Sequence, residues 1–235
     1  MSVLISEKVK ETIEEINALP CFSHGHCKVE SLIGGESHAS FKVLFSENSV
    51  ETNYFVKSLA GHQETAIAEI ESNLLAAEVG LAPAVIYHSP LWLVCEFIAG
   101  DSLANFGVKD LTHVTINKVM ISMNLMAKVH QLTPSKNHQV LDIKALLVKQ
   151  KNQQHVTPLQ HVALNITISK IVPAQADHND LVLCHGDVNY ENIRLSNSFK
   201  KDYALKKTWL VDYECSYLAE IEYDIAMFIA VNEFC

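Results

Sequence analysis

Residues 181–195 read LVLCHGDVNYENIRL, and this stretch decides how the rest of the chain is read. The apolar run at its start predicts a buried strand, which delivers His185, Gly186 and Asp187 into a loop, with Asn192 five residues after Asp187. One rigid loop thereby presents an aspartate and an asparagine together. That pairing suits phosphoryl transfer, in which an aspartate orients an attacking hydroxyl and accepts its proton while an asparagine amide oxygen ligates the magnesium that holds the phosphates. A plain turn, with Asp and Asn as turn formers, is the competing reading.

Downstream, residues 208–214 read TWLVDYE, placing Asp212 at the end of an apolar strand twenty-five residues after Asp187, with Glu214 expected on the same strand face. Two neighbouring carboxylates invite a divalent cation. The intervening SNSFKKDYALKK reads as a turn, so the two strands are expected to pair as a hairpin that brings Asp187, Asn192 and Asp212 together.

Upstream, residues 3–18 carry Val3, Ile5, Val9, Ile13 and Ile16 near one helical face, and Pro20 ends that helix. Strand-like runs follow at KVESLI, ASFKVLF and NYFVKSL, with Phe41, Val43 and Phe45 alternating inward. A helix spans roughly 63–79, closed by Gly80 with Pro83 beyond. AVIYHS and WLVCEFI supply two more strands. After Ala99-Gly100-Asp101 the character changes to apolar-periodic helices at 111–132, 141–154 and 158–171, and the chain ends in an apolar segment from Tyr223. A strand-rich lobe, residues 1–98, is thus expected to precede a mainly helical lobe, residues 99–235, with a ligand cleft between them.

These motifs, in this order, resemble the protein-kinase-like superfamily of small-molecule kinases, which includes choline and ethanolamine kinases, thiamine kinases and aminoglycoside phosphotransferases. HGDVNYEN is similar to the family's HGDxxxxN loop, and VDYECSYLAEIEYDIA to its D-[WFY]-E segment followed by YD-[IL]-A. The resemblance implies an α+β, two-lobed protein-kinase-like fold in which an antiparallel sheet with one helix precedes the helical lobe. It implies Asp187 as catalytic base, Asn192 and Asp212 as magnesium ligands, Glu214 as a further ligand, and Asp224 as a structural tie to the catalytic loop. IGGESHASFKV resembles the family's GG-x-[ST]-N segment, with Ser37 against phosphate oxygens and His38 where choline kinases usually have asparagine. Lys57 in NYFVKSL takes the place of the lysine that pairs with the α- and β-phosphates. Its helix partner is expected to be Glu69, whose spacing to Gly80-Leu81-Ala82-Pro83 matches the family, with Glu64 as fallback. In LVCEFIAGDSL, backbone groups at Glu96, Phe97 and Ile98 would bond adenine, and Ala99-Gly100 would permit hinge motion. His130, ending a long helix in KVHQL, is taken as structural.

Composition narrows the function. Of 235 residues 49% are apolar and 19% charged, with 18 basic residues against 27 acidic for a formal net charge of −9. Seventeen of the basic residues are lysines and Arg194 is the only arginine, which argues against nucleic acid as partner. No window is apolar enough to span a bilayer and the N-terminus lacks a signal pattern, so no membrane partner and a cytoplasmic location are expected. The six cysteines show no framework spacing, and Cys21, His24, His26 and Cys27 match no standard zinc pattern.

The resulting expectation is an ATP- and Mg²⁺-dependent kinase for the hydroxyl of a small molecule. The last 24 residues hold six carboxylates, Tyr213, Tyr217, Tyr223, Phe228 and Phe234, and no lysine or arginine, which favours a cationic acceptor such as choline. Thiamine, ethanolamine and aminoglycosides follow. The family's chains usually continue for several helices past the YD-[IL]-A element, whereas Cys235 follows Asp224 by eleven residues, which leaves open a truncated, non-catalytic nucleotide-binding protein. Oligomeric state, including a homo-oligomer, is likewise left open.

Overall fold

Period-2 alternation with β-branched and aromatic residues makes a sheet of the N-terminal strands, because every second side chain can then enter a core. In a computed structural model, which describes residues 2–32, 39–61, 63–106, 111–153, 155–171, 180–196 and 207–233, β1 (His26–Ser31), β2 (Ser40–Glu47), β3 (Val50–Ser58), β4 (Val85–His88) and β5 (Trp92–Glu96) form one sheet. Its strand order is β1-β2-β3-β5-β4 and every pairing is antiparallel. Ile33 to His38, which include Gly34, Gly35 and Ser37 of the segment expected to meet phosphate, lie outside the described residues.

The two faces of the sheet have different covers. Phe41, Val43, Phe45, Val56, Trp92 and Val94 pack with Ile16, Leu19 and Phe22 from the end of α1 (Ser2–Asn17) and the turn that Pro20 starts. Leu93 and Cys95 point the other way and pack with Ala66 and Ile70 of α2 (Gln63–Glu78). Lys57 pairs with Leu93 across the β3–β5 ladder, so it shares the α2 face. Cys21 and Cys27 pack at the edge of the first of these clusters as ordinary apolar groups.

The end of α2 belongs to a different core. Gly80, in the left-handed region at φ 74°, closes the helix with Gly80 N donating to the Ala77 carbonyl and Leu81 N to the Ala76 carbonyl. Ala76, Leu81 and Ala82 then pack with Leu125, Met126 and Val129 of α3 (Leu111–Val129), Leu183 of β6 (Val182–Cys184), and Ile193 and Leu195 of β7 (Ile193–Leu195). Leu210 of β8 (Thr208–Leu210), Tyr213, and Phe228 of α6 (Ile221–Val231) complete this core. One helix therefore carries packing from the sheet to the C-terminal half.

The helices α4 (Ile143–Lys151) and α5 (Pro158–Ile166) are shorter than expected, and α5 passes into a π-helical turn at 167–171. Residues 217–219 form a strand the sequence reading did not anticipate, β9 (Tyr217–Ala219), antiparallel to β6. No helix among the described residues is long and apolar enough to cross a membrane.

Gly100 sits where the two halves cross. A Cβ there would lie 1.8 Å from the Leu195 carbonyl oxygen, and Arg194 Nη2 donates to the Gly100 carbonyl at 2.6 Å. Its smallness serves close approach of two backbones, and the single arginine is committed to that crossing. Gly100→Ala should cost more than about 2 kcal/mol, because the obstacle is backbone. Urea denaturation measures this; an unchanged midpoint would contradict the crossing.

Candidate active site

Burying an ammonium demands compensating charge, and Lys57 has three carboxylates. Its Nζ donates to Glu69 Oε1 at 2.6 Å, Asp212 Oδ1 at 2.7 Å and Glu214 Oε2 at 2.8 Å. Burial works against the ammonium's charge, but Asp212 and Glu69 outweigh it and hold the Lys57 pKa above its ordinary range. Glu69 is pushed up by burial, with Lys57 opposing, and its Oε2 has no hydrogen-bond partner among the described residues. Glu64 is exposed in the first turn of α2, so Glu69 is the helix partner.

β7 and β8 pair antiparallel as expected, with Ile193 opposite Leu210 and Val211 N donating to the Asn192 carbonyl at 2.9 Å, while the expected turn at 197–206 lies outside the described residues. β8 is shorter than the sequence suggested, ending at Leu210. Asp212 turns left-handed, at φ 70° and ψ 67°, and Tyr213–Cys215 is a 3₁₀ turn, so Glu214 does not share a strand face with Asp212. The turn nevertheless aims both carboxylates at Lys57. Their side chains are 39% and 20% exposed against 1% for Glu69, which puts them on its solvent side.

In the HGD loop, Asn189 Nδ2 donates to both carboxylate oxygens of Asp187 at 3.0 Å, and Asn192 Nδ2 donates to Asp187 Oδ2 at 2.9 Å and to its carbonyl at 3.0 Å. Asp187 is thus fixed by two amides. Asn192 spends its amide nitrogen on Asp187, and its carbonyl oxygen is the atom suited to a hard cation.

Beneath the loop lies a second frame. Asp224 Oδ1 accepts from Gly186 N at 2.7 Å, and its Oδ2 accepts from His185 N at 3.0 Å and contacts His130 Nε2 at 2.8 Å. His185 is fully buried; its Nδ1 accepts from Asp187 N at 3.2 Å and its Nε2 donates to the Val211 carbonyl at 3.1 Å. Burial pushes the His185 pKa down, consistent with a neutral ring that accepts on one side and donates on the other. The imidazole is therefore a spacer between the loops carrying Asp187 and Asp212. Gly186, at φ 78°, lies so close to the Cys215 carbonyl oxygen that a Cβ would approach it to 2.2 Å.

Not every expected residue joins this cluster. Ser37 lies outside the described residues. Glu96 ends β5, its N–H donating to the Ala84 carbonyl at 2.9 Å, and the Ile98 carbonyl accepts from Gly100 N at 3.0 Å in the crossing that follows. Asn189 and the spacer role of His185 escaped the sequence reading. Asn189 is legible in retrospect as an N-cap, its side chain accepting from Asn192 N at the start of a 3₁₀ turn.

The sequence profile of the ecdysteroid kinase-like family matches residues 103–233, more than half of the chain and the part that holds both loops. The chain belongs to the ecdysteroid kinase-like family. In fold it is similar to a choline/ethanolamine kinase family protein from Mesorhizobium loti, with a TM-score of 0.65 and 15% identity over 97% of this chain and 71% of that one. An ethanolamine kinase from Plasmodium vivax gives 0.58 and 16% over 86% and 60%. A spectinomycin phosphotransferase solved with ADP and spectinomycin gives 0.56 and 15% over 93% and 72%. This ecdysteroid kinase-like chain thus spans 60% of the ethanolamine kinase and 71–72% of the other two. No curated protein matches it significantly in sequence. The α+β fold, an antiparallel sheet lobe before a mainly helical lobe, is that of the protein-kinase-like small-molecule kinases, and a kinase-like phosphotransferase is the class it supports.

The Asp224 frame has a definite pH signature. Burial alone would raise the carboxyl's pKa, but hydrogen bonds from His130 and Gly186 hold it below its ordinary value of 3.8. As pH falls the unfolded chain takes up this proton first, so the contribution to stability is complete well above that value and is lost on acidification. Asp224→Asn should cost about 2–4 kcal/mol near neutral pH, and the gap from wild type should shrink below about pH 5. Denaturant titrations across that range measure it; a gap that widens on acidification would remove the carboxylate from this role.

Proposed function

We propose that the chain is an ATP-dependent phosphotransferase that moves the γ-phosphate to a hydroxyl of a small molecule. The observation that supports it best is the joining of two devices: Lys57 inside a shell of Glu69, Asp212 and Glu214, and Asp187 held by Asn189 and Asn192, with His185 bridging the loops. Asp187 accepts the proton of the attacking hydroxyl while the two amides hold its carboxylate in place. Lys57 steadies the α- and β-phosphates, with Glu69 retaining the ammonium when phosphate arrives. Asp212, Glu214 and the Asn192 amide oxygen form a hard-oxygen donor set suited to Mg²⁺, which when bound supplies charge neutralisation for the phosphates. Glu96, Phe97 and Ile98 offer backbone groups to adenine, and Ser37 a hydroxyl to phosphate. On this reading residues 1–98 form the nucleotide lobe and 99–235 the catalytic lobe.

The acceptor favoured here is a neutral polyhydroxylated molecule of the ecdysteroid kind, supported by the family's name. Choline is the second reading, and its support was the acidic, aromatic C-terminal region. Much of that region is committed elsewhere: Tyr213 and Phe228 are core, Asp224 holds the loop, and Asp212 and Glu214 hold Lys57. Tyr217 and Tyr223 pack half-buried against Leu141, Cys184 and Ala219, and the exposed Glu222, next to Tyr223 in sequence, is the specific case for a cation.

Asp187→Asn should lower kcat by about 10²–10⁴-fold while nucleotide affinity stays within about threefold, a split read by steady-state kinetics beside calorimetric titration of Mg-ATP. Near-normal turnover would remove Asp187 from the role of base. Across an ecdysteroid, choline, ethanolamine, thiamine and an aminoglycoside, the ecdysteroid should give the highest kcat/KM. A win for choline would reverse the two readings, and Mg-ATP binding without transfer to any of them would favour the non-catalytic alternative.

A further inference from the structure

Helices α4 and α5 contain no buried residue, which is unusual for segments so rich in Leu, Val and Ile. On α5, Leu159 is 80% exposed, Val162 55% and Ile166 48%; their spacing places them along one face. Leu146 and Val148 of α4 are exposed beside Lys144 and Lys149. From Ile143 to Lys170 the sequence has four lysines, Lys144, Lys149, Lys151 and Lys170, and no aspartate or glutamate, although the whole chain carries a net charge of −9. Lysines without a single neighbouring carboxylate in the segment thus share it with apolar side chains that have no cover among the described residues.

We propose that the α4–α5 hairpin docks the protein on an anionic lipid surface, with Leu159, Val162 and Ile166 entering the headgroup boundary and the lysines flanking them against lipid phosphates and carboxylates. Aliphatic side chains on one helical face with lysines nearby form an interfacial element, which lies on a bilayer without spanning it. Charge complementarity selects the occupant. Each lysine near an anionic surface adds to the attraction, so four together concentrate the protein there even with a shallow apolar insertion. A protein partner is disfavoured because residues 143–170 contain no aromatic residue and no arginine, the types that anchor protein interfaces. A second copy meeting this face symmetrically would oppose lysine with lysine.

The test is co-sedimentation of the full chain with vesicles of phosphatidylcholine alone and with about 30% phosphatidylserine, at low and at high salt. Binding should require phosphatidylserine and weaken with salt. Lys144→Glu, Lys149→Glu, Lys151→Glu and Lys170→Glu together should lower partitioning about 100-fold or more, and Leu159→Ser with Val162→Ser should lower it about tenfold. The Mg-ATP-induced rise in melting temperature, read on the same samples, should be unchanged in both variants, so that a failed nucleotide site and a failed docking surface are told apart. Absence of binding to the anionic vesicles, or binding that neither variant weakens, would overturn the proposal. So would a dimer in sedimentation equilibrium that Leu159→Ser disperses, or capture by polyglutamate without capture by vesicles.

Discussion

A single ammonium group, that of Lys57, must be buried between two halves of the chain, and much of the site follows from how it is compensated. The lysine comes from the central strand of the sheet, Glu69 from the helix on its face, and Asp212 and Glu214 from the segment after the β7–β8 hairpin. Three parts of the sequence must converge before the charge is satisfied, so the ion cluster specifies one arrangement of sheet, helix and C-terminal half. The balance is also lopsided. One cation faces three carboxylates, and the two outer ones are partly open to solvent, which leaves an excess of negative charge on the solvent side of Lys57.

Below this cluster the framework is buried and hydrogen-bonded throughout. His185 spans the loops through hydrogen bonds on both ring nitrogens, and Asp224 gathers the amides of His185 and Gly186 with the His130 ring. Rigidity of the buried frame and openness of the outer carboxylates complement one another, since positioning groups serve chemistry only if their own supports do not move. Gly186 and Gly100 belong to the same design: each lies where a methyl group would meet a backbone carbonyl.

Much of this was legible in the sequence because the chemistry depends on short spacings. The order HGD, Asn192, Asp212 was readable from motif spacing, the pairing of Lys57 with Glu69 from the family resemblance, and the alternation of Phe41, Val43 and Phe45 gave the sheet its inner face. What escaped depends on backbone angles and distant partners. Nothing in TWLVDYE announces that Asp212 adopts a left-handed conformation and ends the strand, and β9 is too short for periodicity to reveal. The close approach at Gly100 was not legible because the Leu195 carbonyl that confines it is far away in sequence. The aromatic residues near the C-terminus looked available for a ligand because sequence alone does not distinguish a ring in the core from one in a pocket.

The central claim is that Lys57 trades Asp212 and Glu214 for phosphate while keeping Glu69. A crystal structure with Mg²⁺ and a non-hydrolysable ATP analogue tests it most directly. The account predicts the α- or β-phosphate within hydrogen-bond distance of Lys57 Nζ, the Lys57–Glu69 pair retained, and Asp212 and Asn192 on the metal. Nucleotide bound elsewhere, or in the cleft with Lys57 still holding all three carboxylates, would contradict it.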